Sequence, residues 1–221
     1  MFQLNGIWLS APSDHVFDVV SKGKQYHAGM INYAQSVCNN KRVAIDIGGC
    51  YGLISNQMAE FFDTVYSFEP SPEAYACLVL NAQDNINTYN FGISDQAETN
   101  KTLYFTRNDG TNRYERPSLN NWNRWKRTMK TFSTEVKTLD SLNVKDVDLI
   151  KFDVEGHEYL SLQGSLKTIK KYKPVIIMEQ KPLRDTTVLC DRKLSEIGYT
   201  KDKVFRQKDC IYVHRQSSHR S

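Results

Sequence analysis

No stretch of this sequence approaches the roughly 18 consecutive apolar residues of a membrane-crossing helix. The first residues show no basic segment followed by an apolar core. The expectation is a cytoplasmic protein with no membrane span. Cysteine is scarce and odd in number: Cys38, Cys50, Cys77, Cys190 and Cys210 are the five in 221 residues, and no two are spaced C-x-x-C. That excludes a disulfide framework and a structural zinc site. The dinucleotide fingerprint G-x-G-x-x-G is also missing. Counting from Gly48, its second glycine would fall on Cys50, so the turn is not built for a pyrophosphate. There is no internal repeat. With 40% hydrophobic and 24% charged residues the chain is too apolar for disorder, and 221 residues suffice for one full sheet-and-helix core.

What is present is organised around Val43-Ala44-Ile45-Asp46-Ile47-Gly48-Gly49-Cys50-Tyr51-Gly52. It reads as a buried strand that ends at a carboxylate and breaks into a glycine turn. Leu53, Ile54, Met58, Phe61 and Phe62 then share one face of a helix. In an open α/β sheet, ligands sit in the crevice beyond the carboxyl end of such a strand. The spacing D-x-G-x-x-x-G (Asp46, Gly48, Gly52) suits a ligand that carries an amino acid group instead of phosphate, as S-adenosylmethionine does. The next strand, Thr64–Phe68, ends at Glu69-Pro70. An acidic residue about 20 residues after the turn suits ribose hydroxyls.

Along the chain, Phe2 to Leu9 reads as a short strand or a covering segment, and Gly29 to Asn39 as a helix ahead of the first strand. Ser71 caps a helix from Pro72 to about Asn85, with proline at its first position. Tyr89–Ser94 is the third strand and Leu103–Phe105 an added one; Thr134–Thr138 and Val147–Asp153 follow. Tyr159–Lys171 is helical, and Pro174–Met178 is a strand leading to Glu179. The helix Asp185–Ile197 is stopped by Gly198, and Tyr199–Phe205 with Cys210–His214 close the chain as an antiparallel pair. Strands and helices alternating in this way imply an α/β fold of parallel βαβ units.

Residues 107–131 break that rhythm. From Arg107 to Lys130 seven basic residues stand against two acidic ones, a net of +5, which leaves about −1 for the rest of the chain's +4. Trp122 and Trp125 lie among the arginines. Such a segment favours an anionic partner and offers rings that stack on flat or sugar groups. It reads equally as a solvated insertion with its tryptophans tucked onto the core. The expectation is one domain over 1–221, with 107–131 as a substrate-facing insertion that uses Arg113, Trp122 and Trp125.

Several pieces in fixed order carry a family resemblance: Asp46-Ile47-Gly48 with Gly52; Phe68-Glu69-Pro70-Ser71-Pro72; Thr138-Leu139-Asp140; Ile150-Lys151-Phe152-Asp153-Val154-Glu155-Gly156-His157-Glu158; and Pro174 to Glu179. Over about residues 40–180 the chain resembles the FkbM family of S-adenosylmethionine-dependent methyltransferases. The resemblance implies a Rossmann-like class I fold: a mostly parallel seven-stranded sheet, an antiparallel last strand, and helices on both faces. It implies O-methylation, often of a sugar hydroxyl. It assigns Asp46, Gly48, Gly49, Gly52 and the backbone around Tyr51 to the methionine moiety and Glu69 to the ribose. Ser94 or Asp95 would flank the adenine. Asp153 and Glu155 would face the transferring methyl group, with Glu179 on the neighbouring strand. Cys50 stands where the family pattern usually has asparagine.

Asp153, Glu155, His157 and Glu179 are therefore the candidate catalytic residues. A carboxylate beside another has one pKa raised, which suits a base for the acceptor hydroxyl. The same oxygens could instead hold a divalent ion such as Mg²⁺. Three functions follow: an O-methyltransferase acting on a sugar or small hydroxylated acceptor, anionic if the basic segment meets it; an RNA ribose 2'-O-methyltransferase; or a module that binds cofactor without catalysis.

Overall fold

The computed structural model describes residues 1–10, 15–23, 26–107, 119, 127–180 and 185–215. The chain opens with a small antiparallel hairpin, β1 (Phe2–Leu4) and β2 (Ile7–Leu9), followed by α1 (His15–Ser21) and α2 (Ala28–Ser36). Then come β3 (Val43–Ile47), α3 (Leu53–Ala59), β4 (Thr64–Phe68), α4 (Pro72–Asn81) and β5 (Ile86–Tyr89). Three strands next form a separate sheet: β6 (Gly92–Ile93), β7 (Glu98–Arg107) and β8 (Arg127–Lys137). A 3₁₀ turn at Leu139–Leu142 leads to β9 (Val147–Phe152), α5 (Glu158–Gln163), α6 (Leu166–Tyr172) and β10 (Val175–Glu179). The last elements are α7 (Asp185–Glu196), β11 (Tyr199–Phe205) and β12 (Asp209–His214).

Seven strands make the main sheet in the order β11-β12-β10-β9-β3-β4-β5. β10, β9, β3, β4 and β5 are parallel, and β12 runs antiparallel between β10 and β11. The sheet is buried on both faces, and the alternation of side chains sorts each strand between two cores. Ala44, Leu149 and Ile177 join one core, to which α1–α4 contribute. Ile45, Ile150, Ile176 and Met178 join the other, with Leu162, Ile169 and Leu194 from α5, α6 and α7. Among the described residues no helix is long and apolar enough to cross a membrane.

Four boundaries differ from the sequence reading. The stretch read as one strand at Tyr89–Ser94 is divided: Ile86–Tyr89 is the edge of the main sheet, and Gly92–Ile93 pairs with β8 instead. The helix read at Tyr159–Lys171 is two, broken at Gly164-Ser165; Gly164 packs so close to the end of β6 that a Cβ there would lie 1.9 Å from the Ser94 carbonyl oxygen. The helix after Pro72 stops at Asn81, where Ala82 turns extended, with ψ at 136°. The strand read at Leu103–Phe105 is the middle of a long hairpin, β7–β8, whose register pairs Leu103 with Phe132 and Arg107 with Arg127. Most of the insertion between them, including Arg113, Trp122 and Trp125, lies outside the described residues. Leu119 is described: it is buried against Leu103 and Val136.

Candidate active site

The parallel strands β3, β4, β9 and β10 all end at one edge, where the glycine turn, Glu69, Asp153 and Glu179 stand. β3 ends in the glycine turn. The amides of Gly48 and Gly49 both donate to the Phe68 carbonyl oxygen, at 2.9 and 3.0 Å, which holds the turn against β4. Gly48 has φ +90°, and a Cβ there would sit 2.0 Å from the Asp153 carbonyl oxygen. Only glycine lets β3 and β9 come this close and still turn. Cys50 follows with φ +50°, and its amide donates to Glu69 Oε2 at 2.9 Å.

Asp46 does not open onto the crevice. It is 0% exposed; its Oδ1 accepts from Lys151 Nζ at 2.9 Å and its Oδ2 from the Ser55 hydroxyl at 2.7 Å. Lys151 Nζ also lies 3.4 Å from the Gly48 carbonyl oxygen and 3.6 Å from Asp153 Oδ2. This one buried ammonium thus ties the glycine turn to the loop after β9. Glu69 is likewise anchored by backbone: Oε1 accepts from the Ser71 amide at 2.8 Å and Oε2 from Cys50. Burial pushes its carboxyl up to about 7, against the lowering effect of those two amides. Each oxygen keeps a second lone pair for a ligand diol.

Two clefts meet at Gly48, each with about 290 Å³ of open space. One is lined by Gly49, Cys50, Tyr51, Lys151 and Asp153, under Tyr26. The other is an apolar slot between Phe68, Pro70, Ile93, Leu103, Leu119 and Val154. Glu69 stands at the head of the turn between them. Val16, Leu53 and Ile54 also line the first cleft, where Lys151 and Asp153 are the charged groups; the second is apolar throughout. Gly52 begins α3 at φ +83°, and the Tyr51 hydroxyl lies 3.0 Å from Ser10 Oγ.

The proposed catalytic residues divide into two places. Asp153, Glu155 and Glu179 come together, with one ligand oxygen from each within 4.8 Å of the others. Glu155 is held at φ +52°, on a loop whose amides at Val154 and Gly156 donate to Glu158 Oε1 at 3.3 and 2.9 Å. Burial raises the Glu158 carboxyl to about 7. A third cleft, with about 250 Å³ of open space, lies between Glu179, Gln180, Gly156, Thr186 and Thr187. The three carboxylates have the oxygen donors that suit Mg²⁺. Lysines already partner two of them: Lys208 pairs with Glu179 and Lys151 with Asp153. His157 is elsewhere. It is 1% exposed and its Nε2 lies 2.9 Å from Ser94 Oγ, so it joins Ser94 and Asp95 instead of the acidic cluster.

The sequence reading missed His27, Lys151, Lys208 and Asp209. His27 begins α2 with φ +59°, stacks on Tyr26 at 4.1 Å, and places Nδ1 3.7 Å from Asp209 Oδ2. Burial, then the Arg206 charge, pushes its pKa down to about 3, while Asp153 pulls the other way. Asp209 is 3% exposed and its Oδ2 accepts no hydrogen bond among the described residues. Its carboxyl is raised by burial.

A sheet of this order, with its ligand crevice at a glycine turn, defines a class I Rossmann-like methyltransferase fold. The methyltransferase FkbM domain matches residues 46–200, and the chain belongs to that family of S-adenosylmethionine-dependent methyltransferases. Methyltransferase FkbM from Methylobacillus flagellatus KT superposes with a TM-score of 0.52 at 15% identity, over 90% of this chain. This chain spans about half of that protein, 52% of its length. A candidate caffeoyl-CoA O-methyltransferase from Staphylococcus aureus superposes with a TM-score of 0.52 at 12% identity, over 84% of this chain and 82% of that one. At these identities the likeness is one of fold. No curated protein sequence matches the chain.

Proposed function

We propose that this chain transfers the methyl group of S-adenosylmethionine to a hydroxyl oxygen of a sugar or other small hydroxylated acceptor. The observation that carries the reading is the cluster of Asp153, Glu155 and Glu179 beside the cleft that contains Gly48 and Lys151. S-adenosylmethionine, when bound, supplies a methyl group already activated on a sulfonium. The chain's tasks are then to position and to accept a proton. Positioning is supported by the glycine turn, whose amides are pinned to Phe68, and by Lys151, which fixes Asp153 relative to that turn. Holding the reactants in line can supply roughly 7–11 kcal/mol of a barrier.

An alcohol is a weak nucleophile at neutral pH, and a base that takes its proton adds about 10²- to 10⁴-fold. Of the three, Asp153 is the one that lines the cleft at the glycine turn, and it serves as that base. Glu155 and Glu179 hold its neighbourhood negative and orient the acceptor hydroxyl. If a divalent ion takes part, the same three residues would hold it and lower the hydroxyl's pKa. In this reading 1–221 acts as one methyltransferase domain, and Arg113, Trp122 and Trp125 serve to bind the acceptor.

The test is incubation of the chain with S-adenosylmethionine and a panel of methyl glycosides and small polyols. Formation of S-adenosylhomocysteine is followed, and the methylated atom is assigned by NMR. Acceptor-dependent S-adenosylhomocysteine with methyl on an acceptor oxygen supports the reading; no acceptor-dependent turnover across the panel, from a chain shown to bind the cofactor, would overturn it.

A further inference from the structure

The acidic cluster stands between two clefts. Asp153 lines the one at the glycine turn, and Glu179 lines the one between the end of β10 and the start of α7. One oxygen of each lies within 4.8 Å of the other, so a group passing from the first cleft to the second meets both carboxylates. Methyl transfer is an in-line displacement, with the attacking oxygen opposite the departing sulfur. A cofactor on the glycine side therefore leaves the far side, beyond Glu179, for the body of the acceptor.

The second cleft is built for hydroxyl groups. Glu158, Glu179, Thr186 and Thr187 supply its polar groups, and the buried Met178 and Cys190 give it an apolar floor. None of its described lining residues is aromatic, so a flat phenol finds no ring to stack on. Its open space of about 250 Å³ falls below the roughly 300–1,000 Å³ of sites for drug-sized ligands, which suits a single ring.

Glu158 is the group in this cleft whose orientation is fixed. It is 6% exposed, and its Oε1 accepts from the Val154 and Gly156 amides at 3.3 and 2.9 Å. Those amides belong to the loop that carries Asp153 and Glu155, so the Glu158 carboxylate is locked to the same loop as the proposed base. Burial raises its carboxyl to about 7, and the charges of Asp153 and Glu179 push the same way. With Oε1 held by backbone, Oε2 keeps lone pairs for a ligand.

We propose that the cleft between Glu158 and the start of α7 is the acceptor subsite: it takes one ring of a sugar or cyclic polyol, and Glu158 accepts from a second hydroxyl of the ring whose first hydroxyl is methylated. This rests on the methyltransferase reading and adds where the acceptor binds and that it carries at least two hydroxyls on one ring.

The test uses the full chain with a methyl glycoside that it methylates and the monodeoxy analogues of that glycoside. In wild type, replacing one particular non-reacting hydroxyl by hydrogen is expected to lower kcat/KM by about tenfold or more, mainly through KM. In Glu158→Gln the full glycoside loses about tenfold, while that deoxy analogue stays within about threefold of its wild-type value. A merely structural role for Glu158 would lower both alike. Thr186→Phe fills the cleft and is expected to raise KM by about tenfold or more, with S-adenosylhomocysteine affinity within about twofold. Glu158→Gln keeps the side chain's shape and reports even if Thr186→Phe does not fold. An equal loss for both acceptors in Glu158→Gln overturns the proposal, as does an unchanged KM in Thr186→Phe. If wild type binds S-adenosylhomocysteine yet methylates no glycoside or polyol, the reading of the reaction has failed, and the subsite falls with it.

Discussion

Lys151 Nζ lies 2.9 Å from Asp46 Oδ1, and both side chains are buried, at 4% and 0% exposure. The pair joins β3 to the central strand β9 at the edge where the glycine turn begins. Forming such a pair adds little net stability, but removing one partner strands a buried charge and costs about 3–5 kcal/mol. Lys151→Met is therefore expected to lower Tm by about 10 °C, at roughly 2–4 °C per kcal/mol. Calorimetric melts check this. A double change, Asp46→Asn with Lys151→Met, should recover part of the loss, because no bare charge remains. A single variant as stable as wild type would show that the pair is not what holds the strands.

The proposed ribose role of Glu69 predicts that cofactor affinity depends on pH. The folded pKa of Glu69 is raised to about 7 from the ordinary 4.5, mainly by burial. A carboxyl raised in this way stabilises the free protein below its unfolded value, and that stability is lost as pH rises toward 7. Ribose hydroxyls donate to the ionised form, so binding should favour ionisation. Affinity for S-adenosylhomocysteine is expected to rise from pH 5 to about 7 and then level off. Glu69→Gln should bind weakly and without that slope. Titrations at several pH values decide it, and a flat wild-type profile would remove Glu69 from the ribose site.

Two glycines offer opposite outcomes from the same substitution. Gly48→Ala forces a Cβ to 2.0 Å from a backbone oxygen at φ +90°, and neither strand can yield without separating β3 from β9. Loss of cofactor binding and a lowered Tm are expected. Gly29, inside α2, has nothing within 4 Å of where a Cβ would stand, and its φ is not positive. There alanine should stabilise by about 0.5–1 kcal/mol through helix propensity. Parallel melts of the two variants check both directions.

Much of this architecture was legible because buried parallel strands are short apolar runs. Thr64–Phe68 and Val147–Phe152 stand out in that way, and Glu69 and Asp153 follow from where those runs stop. Ile86–Tyr89 did not stand out, because an edge strand can carry Asn87 and Thr88 and so lacks the apolar run. His27 and Asp209 were hidden for a topological reason. The start of α2, which precedes the first parallel strand, lies at the ligand edge. So does the start of β12, because that strand runs antiparallel beside β10, with Asp209 opposite Glu179. A sequence pattern marks the ends of parallel strands as site positions; it gives no sign that the beginning of an antiparallel one lands there. His157 was misread for a related reason: its neighbours in sequence are site residues, but its side chain turns back to Ser94.

The acidic cluster can work as a base or as a metal site, and the neighbouring lysines favour the first. Asp153 has Lys151 at 3.6 Å, and Glu179 is paired with Lys208. A divalent ion bound by Asp153, Glu155 and Glu179 would have to share those carboxylates with two ammonium groups. Methyl transfer is therefore expected to persist in a chelator, and added Mg²⁺ should raise it by less than about twofold. Asp153→Asn should slow transfer by about 10²- to 10⁴-fold, the usual contribution of a positioned base. Its affinity for S-adenosylhomocysteine should stay within about threefold, because the substitution leaves the backbone bond from this residue's amide to the Ile47 carbonyl oxygen in place. Rates with and without chelator, alongside binding of the variant, separate the cases. Activity that vanishes in chelator and returns with Mg²⁺ would assign the three carboxylates to a metal. Equal small losses in rate and binding would take Asp153 out of the chemical step.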